Sequence, residues 1–142
     1  MERFRRSNFK KFLLIIAPDL PPCATIQVEV PSEATGIAYV AGKYALREGE
    51  TTNGQRDWLS TDHKQTGVET AIWYLASEGG RWNVGPANNR GSNSVAIYSD
   101  HTSQLYPIVL KWKYVTGIFQ WSNFTDAVSV KCTSGESSMD VY

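Results

Sequence analysis

The sequence has little of what usually announces an enzyme. It holds two histidines and two cysteines in 142 residues, so few side chains are suited to metal ligation or nucleophilic attack. No Gly-x-Ser-x-Gly, His-Glu-x-x-His, phosphate loop or Cys-x-x-Cys occurs, which removes the familiar hydrolase, metalloprotease, nucleotide-binding and redox signatures. No cofactor is therefore expected. The apolar run at residues 12–17 is six long, far below the roughly 20 residues that a membrane-crossing helix needs. Beyond residue 17 no segment sustains a 3.6-residue apolar period, which argues against a helical fold. Net charge is also missing: the formal total is zero. That balance conceals an asymmetry, because residues 1–11 carry five of the 14 cations and one of the 14 acidic side chains. The remainder is acidic by four charges, a poor match for a phosphate backbone, so no nucleic-acid partner is expected.

Aromatic residues are abundant. The chain is 42% hydrophobic and 12% aromatic, with five Trp and seven Tyr, a composition that folds rather than stays disordered. At this length one domain is expected, burying about 68% of its unfolded surface. Residues 1–24 differ from the rest: Arg3, Arg5, Arg6, Lys10 and Lys11 precede the apolar stretch 12–17, the order of a secretion signal. That run is shorter than a usual signal core, and Pro22-Cys23-Ala24 is a poor cleavage site. The segment is read as a degenerate signal, an uncleaved arm packed on the domain, or a membrane-surface anchor.

Residues 25–132 read as a β domain, and the polar tail 133–142 as a frayed end. Ile26, Val28 and Val30 alternate with Gln27 and Glu29, the period of a strand with one buried face. Residues 36–40 and 42–47 are two further short strand candidates, and Asn53-Gly54 is the dipeptide suited to a type I′ hairpin turn. The clearest local pattern spans residues 71–86, where an aromatic and β-branched run, a Ser-Glu-Gly-Gly turn and a second run ending at Pro86 predict a hairpin. Val95 and Ile97 are expected on one face of a strand over residues 94–99, and residues 108–114 alternate cleanly. Val128, Val130 and Cys132 close the pattern. About eight short strands predict an all-β antiparallel sandwich or small barrel.

Two stretches look alike. Trp73 and Trp112 are each followed nine residues later by Trp82 and Trp121, and Asp62-His63 and Asp100-His101 precede them at similar spacing. Two or three similar hairpin units are one reading, and the likeness of any sequential hairpins is the other.

The set Gly42-x-Tyr44, Ala71-Ile72-Trp73-Tyr74, Trp82-x-Val84, Ile97-Tyr98, Pro107 with Trp112, and Val128-x-Val130-x-Cys132 resembles a small aromatic-rich module. That module is repeated in large extracellular proteins of invertebrates and protists. The likeness spans residues 36–132 and implies an extracellular, non-enzymatic β module; unlike the usual arrays, this chain holds a single copy.

The candidate sites are few. Asp62, His63, Asp100 and His101 make a metal site if their loops converge, and turn-capping residues otherwise. Cys23 and Cys132 flank the β pattern, so they are read either as a bridge tying its ends in an oxidising compartment or as two buried or free thiols in a reducing one. Asn123-Phe124-Thr125 is a glycosylation sequon. Trp73 and Trp112 are expected in the core, whereas Trp58, Trp82 and Trp121 lie nearer turns. With Arg81, Asn83, Asp57 and Asn123 beside them, those three form either a sugar-stacking platform or ordinary cross-strand packing. The leading expectation is an extracellular recognition or assembly module engaging a protein or itself. A lectin-like module is second, and a metal-dependent enzyme third.

Overall fold

A computed structural model describes residues 23–61, 67–77 and 79–133. The expected N-terminal segment up to residue 22 and nearly all of the polar tail lie outside the described residues. Nine strands form one antiparallel sheet: β1 (Thr25–Glu29), β2 (Gly42–Leu46), β3 (Trp58–Ser60), β4 (Thr70–Leu75), β5 (Arg81–Pro86), β6 (Ile97–Ser99), β7 (Trp112–Gly117), β8 (Gln120–Trp121) and β9 (Ser129–Cys132). Their spatial order is β8-β7-β6-β5-β4-β3-β2-β1-β9. The chain thus meanders from β1 to β8 and then returns to pair β9 with β1. The all-β antiparallel architecture is as the sequence predicts, realised as one sheet curled into a half-barrel.

The hollow of that curl is filled by aromatic and aliphatic side chains of alternate residues. Ile26 and Val28 of β1, Tyr44 of β2, Trp58 of β3, Ile72 of β4, Trp82 and Val84 of β5, Ile97 of β6 and Trp112 of β7 belong to one buried cluster. Trp82 sits centrally, meeting Trp58 edge to face at 5.8 Å and Tyr74 at 5.3 Å, the geometry that the ring quadrupoles favour. Residues 36–40, expected as a strand, are instead part of a 3-10 helix, Thr35–Val40. The reason lies in the spacing of Ile37 and Val40, both buried: residues three apart share a face in a 3-10 helix but fall on opposite faces of a strand. This helix packs against β5 and β7 and plugs the open side of the curl.

Two turns follow the expected chemistry. Asn53 and Gly54 take φ of 57° and 82°, and Thr52 and Gln55 exchange backbone hydrogen bonds of 2.9 and 3.1 Å across them, the arrangement of a type I′ turn. The hairpin of residues 71–86 forms as predicted, with Tyr74 opposite Trp82 and Ile72 opposite Val84. Its turn needs Gly80, at φ 86°, where a Cβ would come within 2.8 Å of the Thr102 carbonyl oxygen.

Two strands are shorter than expected. Residues 108–111 lie outside β7; Val109 has φ 59°, a conformation that breaks pleating and is costly for a β-branched residue. Residues 94–96 precede β6, and there Val95 packs beside Ala71 and Trp73 while Ile97 enters the main core. The two do not share a face.

Cys23 and Cys132 form a disulfide between residues 109 positions apart in sequence. Their Cα atoms are 5.0 Å apart, because the β1–β9 pairing places Ile26 opposite Cys132. The bridge fastens the first described residue to the last strand. For a loop of this length the chain-entropy account gives roughly 4 to 5 kcal/mol.

Candidate functional site

Of the five candidate ligand-binding residues, the fold gathers three and withdraws two. Trp58 and Trp82 point into the core and are fully buried. Their indole N–H groups donate to the carbonyl oxygens of Cys23 and Gln104, at 2.7 and 3.1 Å. A buried tryptophan whose one donor is already matched offers a sugar nothing to stack on, so neither belongs to a ligand platform. Trp73 and Trp112 are buried as expected, and the Trp73 indole donates to the Ser92 carbonyl oxygen at 3.0 Å.

Asp57 is likewise structural. Its fully buried carboxylate receives Arg47 Nε and Nη2 at 2.7 and 2.6 Å, and the Thr52 hydroxyl at 2.5 Å. Burial alone would raise its pKa, but these hydrogen bonds and the Arg47 charge outweigh it and hold the carboxyl below the usual aspartate value. Sequence reasoning missed this clamp because its partners come from β2's end, a turn and β3's start. The nearest local signal was the Asn53-Gly54 turn, which folds Arg47 back toward Asp57.

Arg81, Asn83 and Trp121 meet on the opposite face of the sheet, around Tyr98. Alternation along β5 sends Trp82 inward and Arg81 and Asn83 outward. The β5–β6 register sets Asn83 opposite Tyr98, and the β6–β7 register sets Tyr98 opposite Lys113. The Arg81 guanidinium carbon lies 4.0 Å over the Tyr98 ring centre. Trp121 and Phe124 meet the same ring edge to face at 4.8 and 6.2 Å, and Lys113 Nζ stands 4.8 Å from the Phe124 ring centre. Arg81 is only 9% exposed and its Nε donates to Asn83 Oδ1 at 3.1 Å. Trp121 and Phe124 are 37% and 41% exposed, so the aromatic rim is open to solvent while its cation is sunk. Tyr98, Lys113 and Phe124 were not foreseen as members, since only the cross-strand register brings them to Arg81.

Only half of the metal reading falls on described residues. Asp62 and His63 lie outside the described residues. Asp100 and His101 are neighbours without convergence: His101 is exposed with its ring against Gly79, while Asp100 Oδ1 is buried without a hydrogen-bond partner among the described residues. No group of three or more His, Cys, Asp or Glu side chains able to hold a metal occurs among the described residues.

Asn123 of the sequon is exposed, beside Phe124. A cleft of about 380 Å³ runs between residues 108–110 and β9. Its charged lining residues are Asp126 and Lys131, and it gathers no set of groups suited to catalysis. The β7–β8 hairpin ends in Ile118 and Phe119, 85% and 96% exposed. No helix among the described residues is long and apolar enough to cross a membrane. Comparison with protein-family models, curated proteins and solved structures returns no match.

Proposed function

We propose that this domain is a non-enzymatic recognition or assembly module that binds a protein partner, or a second copy of itself, through the β7–β8 edge. One observation carries the reading. Ile118 and Phe119, almost fully exposed, occupy a hairpin tip where the fold gains nothing from them. Phe119 also takes a left-handed φ of 58°, which costs a non-glycine residue roughly 1 to 2 kcal/mol. A glycine at position 119 would meet that conformation without strain, so the apolar residues serve something outside the fold. β8 beside the tip is an edge of the sheet, and unpaired edge groups are a ready template for another strand. The Cys23–Cys132 disulfide supports placing the module in an oxidising, extracellular setting.

Sedimentation equilibrium on the wild-type chain and on an Ile118→Asn/Phe119→Asn double variant tests this. Concentration-dependent association of the wild type, abolished in an equally stable variant, is the expected result for self-recognition. For a protein partner, complexes isolated from the native source are expected to lose their partner with the double variant. A wild type that stays monomeric and whose native complexes survive the double substitution would overturn the reading.

A further inference from the structure

Sequons arise often by chance, so the weight of Asn123-Phe124-Thr125 lies in where the fold puts it. Asn123 is exposed. The hydrogen bond it receives, from Ser122 Oγ at 2.8 Å, goes to its main-chain carbonyl oxygen, and its side-chain amide makes none to the described residues. The backbone is fixed on either side. Ser122 N–H donates to the Tyr114 carbonyl oxygen at 2.8 Å and Ser122 Oγ accepts from Tyr114 N–H at 3.0 Å, while Thr125 and Trp112 exchange backbone bonds of 2.9 and 3.2 Å. Between these anchors the returning chain holds one residue more than β7: Trp112 and Val115 are three positions apart, their partners Thr125 and Trp121 four. Asn123 and Phe124 thus share a bulge, which leaves a residue unpaired at the rim of the sheet.

Aromatic rings stand on both sides of that asparagine. Trp121, two residues before it, leans edge to face on Tyr98 at 4.8 Å and is 37% exposed. Phe124, the next residue, meets the same Tyr98 ring at 6.2 Å and is 41% exposed. Counting from Trp121, alternation returns to the same side of the chain at Asn123, about 7 Å further on. A sugar joined to the Asn123 amide therefore comes level with the open face of the indole. The C–H face of a pyranose ring is slightly positive and the face of an indole negative, so the two attract as they cover each other from water.

We infer that Asn123 is N-glycosylated and that the first N-acetylglucosamine of the glycan packs on Trp121. In the transfer, Asn123 Nδ2 forms a bond to C1 of that sugar and gives up one proton. The bond that breaks joins C1 to the diphosphate of a polyisoprenyl-diphosphate-linked oligosaccharide, and the polyisoprenyl diphosphate leaves. The inference rests on the proposed extracellular setting, which the Cys23–Cys132 disulfide supports, and is independent of association at the hairpin tip. β8 is the last strand of the sheet, and a glycan on Asn123 covers the edge just beyond it, one of the ways in which open edges are protected. Phe119 lies four residues back along the chain, roughly 13 Å away in extended backbone, so the tip stays open.

Intact mass and peptide mapping of the full chain from its native source test the modification. The expected result is a glycan at Asn123, with amidase digestion in heavy-oxygen water leaving a labelled aspartate at that position. Thermal melts test the packing. Protein trimmed by an endoglycosidase that leaves the first N-acetylglucosamine should melt with the intact glycoprotein, whereas amidase-treated protein should melt about 2 to 5 °C lower. Trp121→Ala, made in a secreting eukaryotic host, should carry the glycan and lose about 1 °C or less on amidase treatment. The carboxylate that the amidase leaves is common to both chains, so the comparison isolates the indole. Unmodified Asn123 in a chain whose cysteines are bridged would overturn the inference and leave the extracellular setting standing; unmodified Asn123 with two free thiols would overturn both. Equal melting of trimmed and amidase-treated wild type, or the same loss in Trp121→Ala as in wild type, would overturn the packing on Trp121.

Discussion

Arg47 and Asp57 face each other across the β2–β3 turn in a two-pronged ion pair, Nε to Oδ1 at 2.7 Å and Nη2 to Oδ2 at 2.6 Å. The carboxylate is wholly buried, whereas the Arg47 side chain keeps 23% of its surface exposed. That difference makes the two ends of the pair unequal. Asp57→Ala leaves Arg47 without its partner and Thr52 without its acceptor, and should cost about 3 kcal/mol. Arg47→Ala leaves a buried carboxylate that can take up a proton, and also loses stem packing. Urea denaturation of both variants checks the expectation, and a cost below about 1 kcal/mol for Asp57→Ala would contradict it.

The same pair sets an acid limit. Asp57 has a folded-state pKa below its ordinary value, so its contribution is complete above the unfolded aspartate pKa of about 3.9. It is lost as pH falls through the lower folded value. The stability gap between wild type and Asp57→Asn should therefore be flat from pH 7 to about 5 and narrow below about 4. Thermal melts across pH 2 to 7 read this directly; a gap unchanged at pH 2 would rule it out.

The Cys23–Cys132 bridge joins residues 109 positions apart in the sequence. Its replacement by a Cys23→Ser/Cys132→Ser pair should lower unfolding free energy by roughly 4 kcal/mol, chiefly by freeing the unfolded chain. Guanidinium denaturation with and without reductant measures it. The wild type should fall to the variant's midpoint when reduced, while the variant should not respond.

Trp82 lies between Trp58 and Tyr74 with no exposed surface. Truncation to alanine should cost about 3 to 5 kcal/mol. Trp121→Ala, at a rim 37% exposed, should cost about 1 kcal/mol or less. Equal costs for the two, measured by urea denaturation, would mean that the faces assigned to these tryptophans are wrong.

Gly80→Ala should destabilise by about 2 kcal/mol or more, since the φ of 86° is strained for alanine and the new Cβ would meet the Thr102 carbonyl oxygen at 2.8 Å. Gly54→Ala, with open space around it, meets only the backbone penalty and should cost about 1 kcal/mol. Denaturant midpoints of the two variants separate crowding from conformation.

Period-2 patterning was legible wherever a strand has one wet face or a strong turn beside it. β1, the β4–β5 hairpin, β9 and the Asn53-Gly54 turn could be read from local residues, because each is specified by neighbours within a few positions. The positions of Cys23 and Cys132 at the ends of the strand pattern made their pairing one reading, with free thiols the other, and the β1–β9 pairing that brings them together settles it. The segment 36–40 was not legible: its short apolar run reads as a strand, and the three-residue spacing of Ile37 and Val40 becomes decisive only once both must face the same core.

The two Trp-x8-Trp hairpins show where local information stops. Trp73 and Trp82 pair one way round, outward then inward, and Trp112 and Trp121 the other, inward then outward. Alternation determines that neighbours in a strand point to opposite faces, but it is silent on which face is inside. That choice belongs to the curl of the whole sheet and the helix that plugs it. It buried Trp82, left Trp121 at the rim, and brought Arg81, Asn83 and Tyr98 together from strands that share no sequence motif. The sequence by itself determined an aromatic, antiparallel β domain. Tertiary structure alone decided which of its aromatic and charged residues remain available to a ligand, because availability depends on register and closure across strands far apart in the chain.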